Sequence, residues 1–447
     1  MSQHSGSRKK TLVNFFSVAL LQAGNYVLPM ITLPIISRII GPEKYGIINY
    51  CFAFVGYFVL FINAGFDFYG TRMITANRGD KKKINNLFSS IIISKIYLLI
   101  ISIIIFAACI FFIPQLEHEK TTAAFTFLIC IGWVINPSWL YNGMQDSRKY
   151  AVFSFISKLA FSIAVILVVR HRDDYIYHPL ITSVAHVLVS LVSFFYAMKK
   201  YNVTLQPVKW LQIKTTLKDN RHLSIIWWIT NQALSTNIVI AGLLLTTMDL
   251  GYYSAALRLI IIIQSIVSMP LNTVLFPYIG EAFIQGYENG ISRIHKAFPY
   301  ICYIAVGITV GTFLFAKPVI LIFYGNKFYE SILLLKISSL VLLFNTINSA
   351  FGQQIMLNLK KDTAYVKFIL TGLVINILLL FIITKSYSTP GAAFAWPLSE
   401  LVVLIGYVIY FKSNKIKIFN ISYYSPKFIY NNMWSMIKMR TQKHKPT

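Results

Sequence analysis

Charged residues set within or beside long apolar runs are the part of this sequence best suited to chemistry. Arginine offers a planar fork of donors that fits phosphate oxygens, and lysine adds a point charge. Such charges are costly in hydrocarbon, so we expect them to face a cavity, a partner or lipid headgroups. The candidates for a cationic site that binds a diphosphate group are Arg258, Lys158, Lys95, Lys336, Arg38 and Arg72.

Arg258 leads this set because it lies roughly two turns into an apolar segment, too deep to reach headgroups easily. For Lys95 and Lys158, snorkelling or local pairing weighs as much as a substrate contact. Arg38, Arg72 and Glu281 lie so near segment ends that the local role is favoured. Two carboxylates, Asp67 and Glu400, are candidates for carrying a coupling proton or sodium ion, and Glu400 has a structural hydrogen-bonding role as its alternative.

Motifs for covalent catalysis are missing from the sequence. It contains no P-loop, no GxSxG, no HExxH and no clustered Cys and His. Its four cysteines lie in apolar runs without CxxC spacing, which favours free thiols over metal ligands or disulfides. The sequence therefore predicts a protein that is not an enzyme and needs no cofactor or metal.

The composition indicates a polytopic membrane protein. The 447 residues are 56% hydrophobic and only 13% charged, well below the roughly 25% charged residues of a soluble domain. Lys and Arg number 41 against 15 Asp and Glu, a net charge of +26. The positive-inside rule explains part of this excess, and a cationic path for an anionic substrate would explain the rest. Nucleic-acid binding is disfavoured because the basic residues are scattered between apolar spans.

Hydropathy predicts an all-α fold of about twelve transmembrane helices. Weak echoes at half the chain length, such as Glu43–Gly46 against Asp249–Gly251, support two six-helix bundles repeated around a central cavity. Prolines 29 and 34 predict kinks in the first span. The predicted domains are a bundle at 1–198, a basic cytoplasmic linker at 199–222, a bundle at 223–411 and a basic cytoplasmic tail at 412–447.

The loop charges predict the orientation. The N-terminus, the loops after even-numbered spans and the tail carry most of the Lys and Arg, so both termini are expected in the cytoplasm. Within the tail, Lys427–Arg440 alternates polar and apolar residues, as an amphipathic surface helix would, with a partly disordered tail as the alternative.

Several strings also resemble one family. LPMITLPIISRIIGPEKYGIINY (residues 28–50) resembles the opening of the Wzx-type O-antigen or polysaccharide flippases, which belong to the multidrug/oligosaccharidyl-lipid/polysaccharide exporter superfamily. Residues 251–258, 324–329 and 391–400 are similar to later segments of that family, so the resemblance covers nearly the whole chain.

The resemblance implies a flippase in the bacterial inner membrane. Its substrate would be an undecaprenyl-pyrophosphate-linked repeat unit, moved to the periplasmic leaflet by alternating access with a cationic lumen and an ion gradient. A polysaccharide polymerase and a chain-length regulator are candidate partners. The alternatives are a small-molecule or drug exporter, for which an acidic cavity is expected, and a membrane enzyme, for which a large periplasmic loop is expected.

Overall fold

The structure, a computed structural model, describes residues 3–271, 275–416, 418 and 421–425. Within these ranges the chain forms helices and connecting turns, with no strand. In the first part the helices are α1 (Gln3–Asn63), α2 (Phe66–Ala76), α3 (Lys81–Phe112), α4 (Pro114–Glu117), α5 (Lys120–Phe127), α6 (Ile129–Ile135), α7 (Ser138–Gly143), α8 (Ser147–Val168), α9 (Tyr177–Tyr201), α10 (Trp210–Asn231) and α11 (Ala233–Leu244). The later helices are α12 (Thr247–Pro270), α13 (Phe276–Ile284), α14 (Tyr287–Leu314), α15 (Ala316–Phe323), α16 (Ser331–Ser338), α17 (Leu340–Ser349) and α18 (Asp362–Ser413), with a π-helical turn at Ala350–Met356.

Nine segments of the described chain are long and apolar enough to cross a membrane. This confirms the predicted all-α polytopic membrane fold, whereas the count of twelve spans stays a prediction. Two of the nine segments are far longer than a single crossing of about 20 residues needs. Helices α1 and α18, which belong to these segments, each contain one residue outside the helical region, Gly41 in α1 and Ser388 in α18.

Both breaks have the same local cause. Gly41 has a φ of 73° and Ser388 a φ of 51°, in the left-handed region that ends a helix. A proline follows within two residues, Pro42 or Pro390, where the first turn of a new helix tolerates its missing N–H. Among the polar residues 41–46, only Gly41 therefore interrupts the helix. Pro29 and Pro34, by contrast, lie where α1 keeps helical dihedral angles.

The chain divides into two compact units. Unit 1 contains the described residues up to Ala255 together with Val319–Glu330, and unit 2 contains Ala256–Pro318 together with the described residues from Ser331 onward. The sequence predicts a linker at residues 199–222 between two repeats. This predicted boundary is not the boundary between the two compact units, and it stays a prediction. The proposed amphipathic segment Lys427–Arg440 lies outside the described residues.

Unit 1 contains a close backbone contact between the two turns that the sequence matches as repeats. A Cβ atom on Gly46 would lie 2.0 Å from the carbonyl oxygen of Thr247, and one on Gly251 would lie 1.9 Å from that of Pro42. No side chain fits at such distances, so both positions need glycine for this approach. The phenol oxygens of Tyr45 and Tyr324 lie 3.2 Å apart, in the same unit.

Unit 2 is organised by aromatic packing between α14, the π-helical turn and the end of α18. The rings of Phe298 and Phe351 stack with centroids 5.0 Å apart. Phe351 also contacts Tyr407 and Phe411 edge-on. Offset and edge-on ring pairs stabilise a core by about 0.5–1.5 kcal/mol beyond the area they bury. These contacts hold the second half of α18, which contains Glu400.

Candidate functional site

Asp67 of unit 1 lies in a set of polar groups near the start of α2. Its Oδ2 accepts a hydrogen bond of 2.7 Å from Asn63 Nδ2, one turn earlier in the chain. Its Oδ1 accepts a hydrogen bond from the hydroxyl of Ser138, at the start of α7. The helix breaks at Ala64 and Gly65, which places Asn63 and Asp67 on either side of the break. Two donors from different helices thus hold one half-buried carboxylate in place.

Lys95 is a buried cation of the same unit. It lies on α3 with only 1% of its surface exposed, and its charge interacts favourably with Asp67. Its Nζ donates to the carbonyl oxygen of Trp133 at 3.2 Å, and in the described chain it forms no direct ion pair. An ammonium has three donors. A group buried this deeply is closed to a bulky headgroup in this conformation, so its geometry fits charge balance for Asp67 better than substrate binding.

Glu400 of unit 2 is held in a similar way. Its Oε1 accepts hydrogen bonds from Asn345 Nδ2 at 2.8 Å and from Trp396 Nε1 at 3.1 Å. Its Oε2 accepts one from Asn348 Nδ2 at 2.7 Å. Gln264 donates in turn to the side-chain oxygen of Asn345, which fixes the direction of that amide. Helices α12, α17 and α18 thus all contribute to the surroundings of one carboxylate.

The two carboxylates share one further feature. Beside each of them lies a buried amide oxygen that accepts no hydrogen bond from the described residues, Asn63 Oδ1 near Asp67 and Asn348 Oδ1 near Glu400. A buried acceptor without a donor costs about 1–3 kcal/mol. A carboxylate next to a free amide oxygen offers the hard oxygen ligands that a small cation prefers. The described residues hold no cluster of three or more His, Cys, Asp or Glu that would suit a transition metal.

The remaining predicted cations differ in exposure. Arg258 on α12 is exposed although Leu257 and Leu259 on either side of it are buried, with 1% and 3% exposure. Lys158 on α8 and Arg72 on α2 are also exposed. Lys336 is half-buried, with its ammonium 5.3 Å from the centre of the Phe313 ring.

Arg38 has a local partner. Its Nη2 donates to the carbonyl oxygens of Leu321 at 3.2 Å and Ile322 at 2.7 Å, near the end of α15. An arginine that donates to the last carbonyls of a helix caps it, which supports the local role weighed for this residue. The structure does not bring the six cations into one cluster within either unit, and their role in binding substrate stays a prediction.

Sequence reasoning found both carboxylates but missed the groups that hold them: Asn63, Ser138, Asn345 and Asn348. A signal was present, because Asn63 precedes Asp67 by four residues and Trp396 precedes Glu400 by four. Residues at that spacing lie on the same face of a helix. Ser138, Asn345 and Asn348 come from other helices, and no spacing along the chain links them to their partners.

Comparison with known proteins gives a family match and several similar proteins. Residues 11–283 match a family described as polysaccharide biosynthesis proteins. A protein of Escherichia coli K12 described as "Putative O-antigen transporter" is 22% identical over 90% of this chain and 97% of its own length. One of Shigella dysenteriae with the same description is 20% identical over 88% of this chain and 98% of its own.

Two solved structures share the fold. The lipid II flippase MurJ in an inward closed conformation superposes with a TM-score of 0.72 at 14% identity, over 96% of this chain and 93% of its own. An inward-facing multidrug resistance MATE family transporter of the MOP superfamily gives a TM-score of 0.63 at 15% identity, over 88% and 94%. At this identity the likeness concerns the fold alone.

Proposed function

We propose, from the premise that this chain belongs to the family of polysaccharide biosynthesis proteins, that it is a flippase for lipid-linked oligosaccharides. Its substrate would be an undecaprenyl-pyrophosphate-linked repeat unit of O-antigen or a similar surface polysaccharide. The protein would carry that unit from the cytoplasmic to the periplasmic leaflet of a bacterial inner membrane by ion-coupled alternating access. In this proposal it is a transporter and not an enzyme.

The observation that carries this proposal is the exposed Arg258 in the apolar helix α12, between two buried leucines. Within the described chain no carboxylate pairs with it, so its charge is available to an anion from outside. A guanidinium binds a diphosphate through parallel hydrogen bonds. The net charge of +26 agrees with an anionic substrate. The names of the two enterobacterial relatives support the polysaccharide class.

Ion coupling is supported by the settings of Asp67 and Glu400. Each carboxylate lies beside a buried amide oxygen that has no donor among the described residues. A proton would neutralise the carboxylate, and a sodium ion would bind both oxygens. Either event would change the charge of a partly buried group, and such a change can shift a conformational equilibrium.

The second candidate is a drug exporter, favoured by the fold shared with a multidrug transporter. Deleting the gene in its host separates the two. If the protein is the flippase, lipid-linked repeat units accumulate in the cytoplasmic leaflet and surface polysaccharide is lost. An unchanged polysaccharide together with greater drug sensitivity would favour the exporter.

We also propose that both termini are cytoplasmic. Reporter fusions after Lys83, Lys214 and Lys361 should read cytoplasmic, because basic loops stay on that side. A contact inside unit 1 agrees with this: Arg78 Nε, in the basic loop after α2, donates at 2.7 Å to the carbonyl oxygen of Gly143, the last residue of α7, which precedes the polar segment that contains Arg148.

Fusions after Lys120, Arg172 and Tyr387 should read periplasmic. Arg172 pairs with Glu43, and both belong to loops assigned to the periplasm. A periplasmic reading at Lys214 would refute the proposed orientation, because it moves the basic linker across the membrane.

Glu400→Gln should make transport insensitive to an imposed ion gradient. The amide keeps the shape but removes the charge, and its NH2 group meets Asn or Trp donors where it needs an acceptor. We expect that mismatch to cost about 1–3 kcal/mol. The measurement is substrate flipping in proteoliposomes with and without a proton or sodium gradient.

Glu281→Gln is the matched control for this substitution, because Glu281 is an exposed glutamate of the same unit. It should leave the response to the gradient intact. If Glu400→Gln flips substrate with a normal gradient response, Glu400 is a structural residue, as its hydrogen bonds to Asn345, Asn348 and Trp396 would also allow.

A further inference from the structure

Unit 2 contains a cavity of about 550 Å³ between the two halves of α18, on either side of the break at Ser388. Three lysines line it: Lys360 and Lys361 just before the helix, and Lys367 in its second turn. The rest of the wall is largely apolar and includes Phe368, Val402 and Tyr410. The transport function proposed above makes no use of this cavity.

The cavity is basic at one end and apolar at the other. The two halves of α18 run antiparallel, since the rings of Phe368 and Tyr407 lie 4.2 Å apart and a Cβ on Gly372 would lie 2.8 Å from Val403. Tyr410 therefore lies at the lysine end and Val402 at the far end. From Thr363 to Thr371 the helical part of the wall extends about 12 Å at 1.5 Å per residue. A cavity with these two ends suits a ligand that has an anionic head and an apolar chain.

None of the three lysines has an anionic partner in the described part of the chain. Asp362 follows Lys361 directly, but it does not line the cavity and pairs with none of them. The segment from Pro426 to Thr447 contains no Asp or Glu side chain. The three lysines are exposed and make this end of the cavity positively charged, which suits an anion from another molecule.

We propose that this cavity binds an anionic phospholipid of the leaflet that the basic loops face. The lysines bind the phosphate of the headgroup, and one acyl chain lies along Phe368 and Val402. A basic pocket between transmembrane helices recognises lipid headgroups in this way. A free phosphate would leave the apolar wall exposed to water, and a peptide would bring backbone polar groups into an apolar groove. A phospholipid offers a phosphate to the lysine end of the cavity and an acyl chain to its apolar end.

Retention of phosphatidylglycerol by the purified full chain, measured by native mass spectrometry in detergent, tests this proposal. The variant Lys360→Gln/Lys361→Gln/Lys367→Gln should weaken phosphatidylglycerol binding on the order of 100-fold, because each lysine near a lipid surface contributes about 1 kcal/mol. Phosphatidylcholine should bind weakly to both proteins. The control Lys81→Gln/Lys82→Gln/Lys214→Gln removes three exposed lysines of unit 1 and should bind phosphatidylglycerol normally.

A second variant keeps the charge and fills the groove. Val402 is 44% exposed, so Val402→Trp places a large ring in the cavity without displacing the core, and it should also weaken phosphatidylglycerol binding. If the control variant loses as much phosphatidylglycerol binding as the cavity variant, the lipid is attracted by surface charge in general, and the proposal is overturned. Displacement by inorganic phosphate alone would overturn it in favour of a phosphate site, and displacement by polyprenyl diphosphate but not by phosphatidylglycerol would assign the groove to the transported lipid.

The outcome is separable from the proposed function. A protein that binds phosphatidylglycerol here but flips nothing supports the lipid site and refutes the flippase. A flippase whose lysine variant retains phosphatidylglycerol as the unmodified protein does refutes the lipid site alone.

Discussion

Arg258→Ala should abolish surface polysaccharide in a host that depends on this protein, while the variant still inserts in the membrane at normal levels. Arg258 is exposed, so its loss leaves no buried group without a partner and should not destabilise the fold. Losing a guanidinium paired with a desolvated diphosphate should cost about 2–5 kcal/mol of substrate binding. The measurement is the surface polysaccharide in a deletion strain complemented at matched expression.

Two further variants make this test specific. Arg258→Lys should keep part of the activity, because the charge remains but the two-pronged hydrogen bonding is lost. Arg148→Ala, which removes an exposed arginine in the first turn of α8, should complement fully. Full complementation by Arg258→Ala would show that this residue does not contact substrate and that its side chain reaches the headgroups instead.

Asp67→Asn should destabilise unit 1, and a second substitution at Lys95 should recover part of the loss. The single change removes a negative charge that favours the ammonium of Lys95, which is 1% exposed and forms no direct ion pair in the described chain. We expect this to cost about 0.5–3 kcal/mol, the range for coupled neighbouring groups. Lys95→Met removes the buried ammonium with little change of shape, so the double variant Asp67→Asn/Lys95→Met should be more stable than Asp67→Asn alone.

The measurement is thermal unfolding of the four proteins of this cycle in detergent, with a coupling of about 0.5–3 kcal/mol expected for neighbouring charged groups. Asp173→Asn is the control, since that carboxylate is exposed. Strictly additive effects would mean that Asp67 and Lys95 act independently. Flipping assays on the double variant then report the second role of Asp67: a stable protein that no longer responds to an ion gradient would identify Asp67 as a coupling residue.

The sequence predicted the membrane-spanning all-α fold because twenty-residue apolar runs have no other stable structure in a bilayer, where backbone groups must bond within their own helix. It also offered charged residues as site candidates, because an ionisable group in an apolar run is costly enough to imply a purpose, and their roles stay predictions. The break at Gly41 and Pro42 was foreseeable from local chemistry. The number of residues that leave the helix there was not foreseeable, because a longer polar turn and a one-residue break can have the same composition.

By itself, then, the sequence determined the all-α membrane class of the protein, and it offered Asp67 and Glu400 as candidates whose role stays a prediction. Only the tertiary structure decided their surroundings. It buried Lys95 while leaving Arg258 exposed, although both lie in apolar runs of similar composition. The reason is that exposure depends on which face of a helix meets its neighbours. An almost uniformly apolar span such as α3 has no polar stripe to mark its outer face, so the helices packed beside it decide which of its side chains are buried.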